Sequence, residues 1–169
     1  MENISTEIEL KDYIFSILEE VKDPEIPALS IFDMGILRDA YKENDKLIVK
    51  ITPTYSGCPA MSVIKEDIEL ALNKTGIDNF SVDFVFDPPW TTDWMSDDAK
   101  ERMRQSGIAP PVGKSEDGFF TILKPEVILN CPFCNSQNTI KKSEFAATAC
   151  KALYYCNNCS QPFEHFKCH

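Results

Sequence analysis

An α+β domain followed by a small, metal-organised β ribbon is the fold class this sequence predicts, and three observations carry it. Two segments, "TEIELKDYIFSILEEV" and "PAMSVIKEDIELALNKTG", place apolar residues at helical spacing. Three shorter segments alternate apolar and polar residues as strands do. Two Cys-x-x-Cys pairs, "CPFC" and "CNNC", stand close together near the end of a chain of 169 residues. That length buries one ordinary core plus a small appended module.

The first helix opens on "TEIE", where Thr6 and Glu9 have the spacing of a capping box, and Leu10, Ile14, Ile17 and Val21 follow on one face. "KDPEIPALS" ends it, because Pro24 and Pro27 cannot continue a helix, and Asp23 and Glu25 fall on the resulting loop. "GILRDAY" and "KLIVKI" flank the polar "KEND" and read as a hairpin, with Leu47, Val49 and Ile51 on one face. The second helix has Pro59 as its expected first residue, a stripe of Met61, Ile64, Ile68 and Leu72, and Gly76 as its stop. "FSVDFVF" alternates Phe80, Val82, Phe84 and Phe86 against Ser81 and Asp83, a third and half-buried strand. The order is helix, strand, strand, helix, strand over residues 1–92. Residues 93–125 form a helical and proline-rich connection, with Ser96 as N-cap, a short helix through Arg104 and Gly107 as stop. Trp90 and Trp94 bracket its entry, as a clamp packed over the sheet or as a docking surface.

The last part, residues 126–169, carries the clearest chemistry. Cys131 and Cys134, with Cys156 and Cys159, form two knuckles separated by 21 residues, close to a familiar zinc-binding spacing. Four thiolates suit one tetrahedral zinc, and a module this small needs metal for much of its folding energy. A four-cysteine iron or iron–sulfur centre uses the same ligands. Nearby, Cys150, His165, Cys168 and His169 are candidates for a second metal or transfer site, against the plainer reading that Cys150 packs and the tail is mobile.

Cys58, in "TYSGCPAM", is the remaining cysteine. At or beside the N-cap of the second helix, free amides and the helix dipole would lower its pKa and favour a metal- or cluster-transfer thiolate. Packing is the competing role, since free cysteine is among the most buried residue types.

Charge and composition narrow the function classes. Residues 1–125 hold 13 Lys or Arg against 24 Asp or Glu, whereas residues 126–169 hold 4 against 3, so a chain of net charge −10 keeps its acidity in the first part. Such a surface repels phosphate backbones and argues against a nucleic-acid regulator. No apolar run reaches the length of a membrane span, and "MENISTEIELK" lacks the pattern of a signal peptide, so a cytoplasmic protein is expected. With no export signal, an odd count of seven cysteines points to metal or free thiols rather than disulfides. No nucleotide-phosphate loop or thiol–imidazole catalytic motif is present, so the chain is not expected to catalyse a reaction alone.

"DPEIP", "DMGIL", "ITPTYSGCP" and "DPPW", in this order, resemble the MIP18 (DUF59) family over about the first 90 residues, with Tyr55 and Ser56 interrupting a threonine-rich run. The resemblance implies a role in iron–sulfur protein assembly and matches that family's reactive cysteine to Cys58. "PPWTTDWMS", "GIAPP", "SEFAATACKALYYC" and "FKCH" further resemble the branch of the family that serves the bacterial phenylacetyl-CoA epoxidase system. In that system a di-iron oxygenase is fed by a reductase carrying flavin and an iron–sulfur cluster. This closer resemblance implies an accessory factor of aerobic phenylacetate breakdown. It would hold a cluster transiently and help build or insert that of the reductase, its expected partner, or mature another metal centre. The alternative is a structural adaptor that stabilises the oxygenase components through the ribbon and the Trp90–Pro111 segment. Self-association stays open.

Overall fold

The computed structural model describes residues 6–112 and 128–167. Of these, the residues up to Trp90 form one compact unit and those from Thr91 a second.

In the first unit, α1 spans Glu7–Leu18 and begins with the predicted capping box. Thr6 Oγ1 accepts the Glu9 amide at 3.2 Å while Glu9 Oε2 accepts the Thr6 amide at 3.1 Å. The helix ends three residues before Val21, which is buried beyond it and donates its amide to Leu18 O. The proline loop then turns on Asp23, whose Oδ1 accepts the amides of Glu25 at 2.7 Å and Ile26 at 2.9 Å.

Strands β1 (Leu37–Glu43) and β2 (Lys46–Ile51) pair antiparallel, as the hairpin reading requires. The turn itself is only Asn44 and Asp45, with φ of 46° and 64°, because Lys42 and Glu43 remain in the strand. Two left-handed residues give the turn whose twist suits a hairpin, and Asn and Asp tolerate that conformation best after Gly. Helix α2 spans Ala60–Lys74 and buries Ala60 together with the expected Met61, Ile64, Ile68 and Leu72. Gly76, at φ 79°, closes it by donating to Asn73 O while Ile77 donates to Leu72 O.

β3 (Phe80–Phe84) pairs parallel to β2, so α2 is the crossover between them and the sheet order is β1-β2-β3. Here the alternation misleads. Val82 is buried opposite Val49, but Phe84 and Phe86 are 41% and 62% exposed. Pairing stops at Ile51 and Phe84 on an edge strand, so the apolar face runs past the covered part of the sheet.

The second unit opens with a 3₁₀ turn at Thr92–Trp94 and α3 at Asp97–Gln105, capped by Ser96 Oγ on the Ala99 amide at 3.0 Å. Gly107, at φ 87°, stops the helix as expected. A four-stranded sheet follows from β4 (Ile108–Ala109), β5 (Thr139–Ser143), β6 (Lys151–Cys156) and β7 (Pro162–Phe166), in the order β4-β7-β6-β5. β4 runs parallel to β7 and the other pairs are antiparallel. The segment expected to be a connection therefore contributes a strand to the ribbon's own sheet. Ala109, Leu129, Ala152, Tyr154 and Phe163 form a core with Cys131 and Cys156. Lys151, 4% exposed, is held by Glu164 at 2.7 Å. No helix among the described residues is long and apolar enough to cross a membrane.

Candidate functional site

The two knuckles are conformational copies. In each, the residue after the second cysteine, Asn135 or Ser160, donates to the carbonyl of the first cysteine, at 2.8 and 2.9 Å. The residue after that, Ser136 or Gln161, accepts the first cysteine's amide, at 3.0 and 2.9 Å. Asn135 and Ser160 take φ of 59° and 58°, a left-handed step that folds each loop back and aims both of its sulfurs to one side.

The result is a single four-sulfur cage. All four sulfurs lie within 4.8 Å of one another, with Cys131 and Cys159 at 3.7 Å and Cys134 and Cys156 at 3.6 Å. Tetrahedral zinc, with bonds of about 2.3 Å, sets its sulfurs about 3.8 Å apart. The cage thus fits one ion, whereas a cluster of two or four irons would spread the ligands over separate metal atoms.

Protons are distributed unevenly over the cage. The Ser136 amide and the Asn158 side chain hold Cys134, the exposed member, down to about 6. Burial and the three neighbouring sulfurs push Cys159 up to about 12, and burial raises Cys131. Cys134 ionises readily while Cys131 and Cys159 resist, as crowded thiols do until a cation supplies the compensating charge.

Of the four residues expected at a second site, Cys150 and His165 lie among the described residues, and each is engaged within the fold. His165 is 6% exposed, lies edge-on to Tyr154 at 5.7 Å and donates Nδ1–H to the carbonyl of Ala109 at 3.2 Å. It fastens β4 to β7 from inside the fold. Cys150 is buried with its sulfur 3.0 Å from the Thr148 hydroxyl. Among the described residues the four knuckle cysteines are the one cluster of three or more with metal-ligand spacing. Cys168 and His169 lie outside the described residues.

Cys58 sits in the first unit, half-buried, beside the N-cap of α2, which starts one residue later than expected. Pro59 holds the N-cap place at φ −71° and the helix begins at Ala60. The loop is closed by the Cys58 amide on Tyr55 O at 3.1 Å and the Met61 amide on Cys58 O at 3.4 Å. The predicted amide is present, since Ala60 N–H and the Thr54 side chain both hydrogen-bond to the sulfur. The thiol nevertheless has a raised pKa, against the expected lowering. Burial is the main cause, and the carboxylates of Glu25 and Asp23 add to it. The charges of the proline loop thus act on the sulfur. The sequence places Asp23 and Glu25 on one loop and Cys58 on the other without joining them; the polar "DPE" between apolar segments is the available signal.

Trp90 is the more deeply buried of the two tryptophans. It is 5% exposed and donates its indole N–H to Met34 O at 2.8 Å, so it clamps the first unit from within. Trp94 is half-buried in the 3₁₀ turn.

The α+β unit with a thiol at a helix start matches an iron–sulfur assembly family, and the four-cysteine ribbon after it matches a zinc ribbon. Residues 11–83 match the iron-sulfur cluster assembly protein family and residues 116–167 match the PaaD zinc beta ribbon domain. The structure of a DUF59 domain from Bacillus anthracis superposes with a TM-score of 0.52 at 30% identity, covering 58% of this chain and 94% of that one. An Fe-S protein maturation auxiliary factor of Bacillus subtilis is 36% identical over 93 residues, 54% of this chain and 90% of that protein. Over 155 residues, 92% of this chain and 91% of the relative, the sequence is 45% identical to a protein of Escherichia coli (strain K12) named as a putative subunit of 1,2-phenylacetyl-CoA epoxidase. The chain belongs to the PaaD family of phenylacetyl-CoA epoxidase subunits.

Proposed function

We propose that this protein is a cytoplasmic accessory factor that takes up an iron–sulfur cluster through Cys58 and passes it to the iron–sulfur flavin reductase of the epoxidase system. The observation that carries the reading is the setting of Cys58: a half-buried thiol on the loop before α2, with the Ala60 amide and Thr54 as hydrogen-bond partners, in a domain of the iron–sulfur assembly family. A raised pKa keeps the sulfur protonated at neutral pH. The positive charge of incoming iron offsets Asp23 and Glu25 and favours loss of that proton, while Ala60 N–H and Thr54 stay in place to stabilise the thiolate. The cluster is cargo.

Zinc is the ion we assign to the ribbon, held by Cys131, Cys134, Cys156 and Cys159, where it closes the knuckles and supplies folding energy. The test separates chemistry from scaffolding. Reductase purified with its cluster fully built should support epoxidation without this protein, and reductase lacking its cluster should need it. A continued requirement with fully built reductase would instead establish a structural adaptor.

A further inference from the structure

In space, α3 ends on the first knuckle. A Cβ at Gly107 would lie 3.1 and 3.2 Å from Cε1 and Cζ of Phe133. Arg104 reaches Pro132 O with Nη1 at 3.3 Å. Pro132 and Phe133 are the two residues between Cys131 and Cys134, so the helix end rests on the loop whose shape two sulfurs on one ion determine. β4 follows at once, pairing Ala109 with His165, and Ala109 shares its core with Cys131 and Cys156.

We propose that metal in the four-cysteine site seats α3 and β4, so that the charged surface of α3 is displayed only by the metal-loaded form. Nine residues are too few for a stable helix in isolation, for which about 12 to 15 are marginal even in favourable sequences. Only Ala99 and Met103 are buried along α3, and two of its ion pairs, Arg102 with Asp98 and Arg104 with Glu101, lie within the helix. A two-residue strand has no stability of its own either. Both elements depend on their seat. Phe133 is 55% exposed, and its ring is carried under Gly107 by the knuckle backbone. Losing the ion frees that backbone, and the seat goes with it. The ribbon then couples metal status to a surface outside itself.

Amide hydrogen exchange on the full chain tests this, comparing zinc-loaded protein, the same protein stripped by a chelator under reducing conditions, and zinc-loaded Phe133→Ala. Removing zinc should speed exchange in α3 at least about 10-fold while α1 and α2 change less than about 2-fold. Phe133→Ala keeps all four ligands. It should retain one zinc per chain and the protection of β5 to β7, yet lose protection in α3. If α3 stays protected after zinc leaves, or its exchange is unaltered in zinc-loaded Phe133→Ala, the coupling is refuted.

Discussion

Asn135 and Ser160 occupy equivalent left-handed positions, one residue past the second cysteine of each knuckle, at φ 59° and 58°. The conformation costs an L-residue roughly 1 to 2 kcal/mol, less for Asn than for Ser. Asn135 also accepts a hydrogen bond from Asn130 Nδ2 at 3.0 Å. Ser160→Gly should therefore stabilise the second unit by about 0.5 kcal/mol after the added flexibility of the unfolded chain is subtracted. Asn135→Gly should be neutral or destabilising. Denaturant unfolding of the two zinc-loaded variants checks the order.

Trp90 tests the integrity of the first unit. Trp90→Phe keeps a ring but leaves Met34 O, on a residue 1% exposed, without its indole donor. A loss of about 1 to 3 kcal/mol is expected, with zinc content unchanged. Urea denaturation followed on the first unit, with metal analysis alongside, measures both.

His165 sets an acid limit on the second unit. Burial lowers its pKa from 6.5, so the unfolded chain binds the proton more tightly than the folded one. The stability it contributes is complete above pH 6.5 and is lost as the pH falls through the lower folded value. Imidazole proton shifts of the zinc-loaded protein, with His169→Ala for assignment, should give a midpoint below 6.5; one at or above it would contradict the buried neutral ring.

Replacing a ligand should separate the two units. Cys159→Ser removes one thiolate of four, and metal binding is coupled to folding only in the ribbon. Zinc content should fall below one per chain and the signals of β5 to β7 should collapse, with those of α1, α2 and the three-stranded sheet retained. Retention of both zinc and ribbon structure would show that Cys159 is not a ligand.

Features set by a few neighbouring residues were legible in the sequence. Thr6 with Glu9, Ser96, Gly76 and Gly107 mark helix ends through bonds within one turn, and all four ends stand where those residues place them. The four cysteines announce their site because two short knuckles impose the geometry locally. What escaped depends on distant partners. Pro88 and Pro89 mark where the strand stops, but nothing near Phe84 and Phe86 says that their side chains lie uncovered, and the apolar alternation there reads as buried. Trp90 finds its acceptor 56 residues away, and Ala109 pairs with a strand as remote in sequence. The proton affinity of Cys58 departs from expectation for the same reason: the helix start is local, but the burial and the two carboxylates that outweigh it come from the fold.

The central claim is that Cys58 acts by chemistry rather than by packing, and Cys58→Ser in cells carrying it as their only copy tests it most directly. A serine at this half-buried loop position can keep hydrogen bonds to Ala60 N–H and Thr54, so stability should change by less than about 1 kcal/mol. The purified variant should keep a near-normal thermal midpoint and full zinc content, while in cells the reductase lacks its cluster and phenylacetyl-CoA epoxidation fails. A destabilised variant that still supports full cluster content in the reductase would contradict the claim.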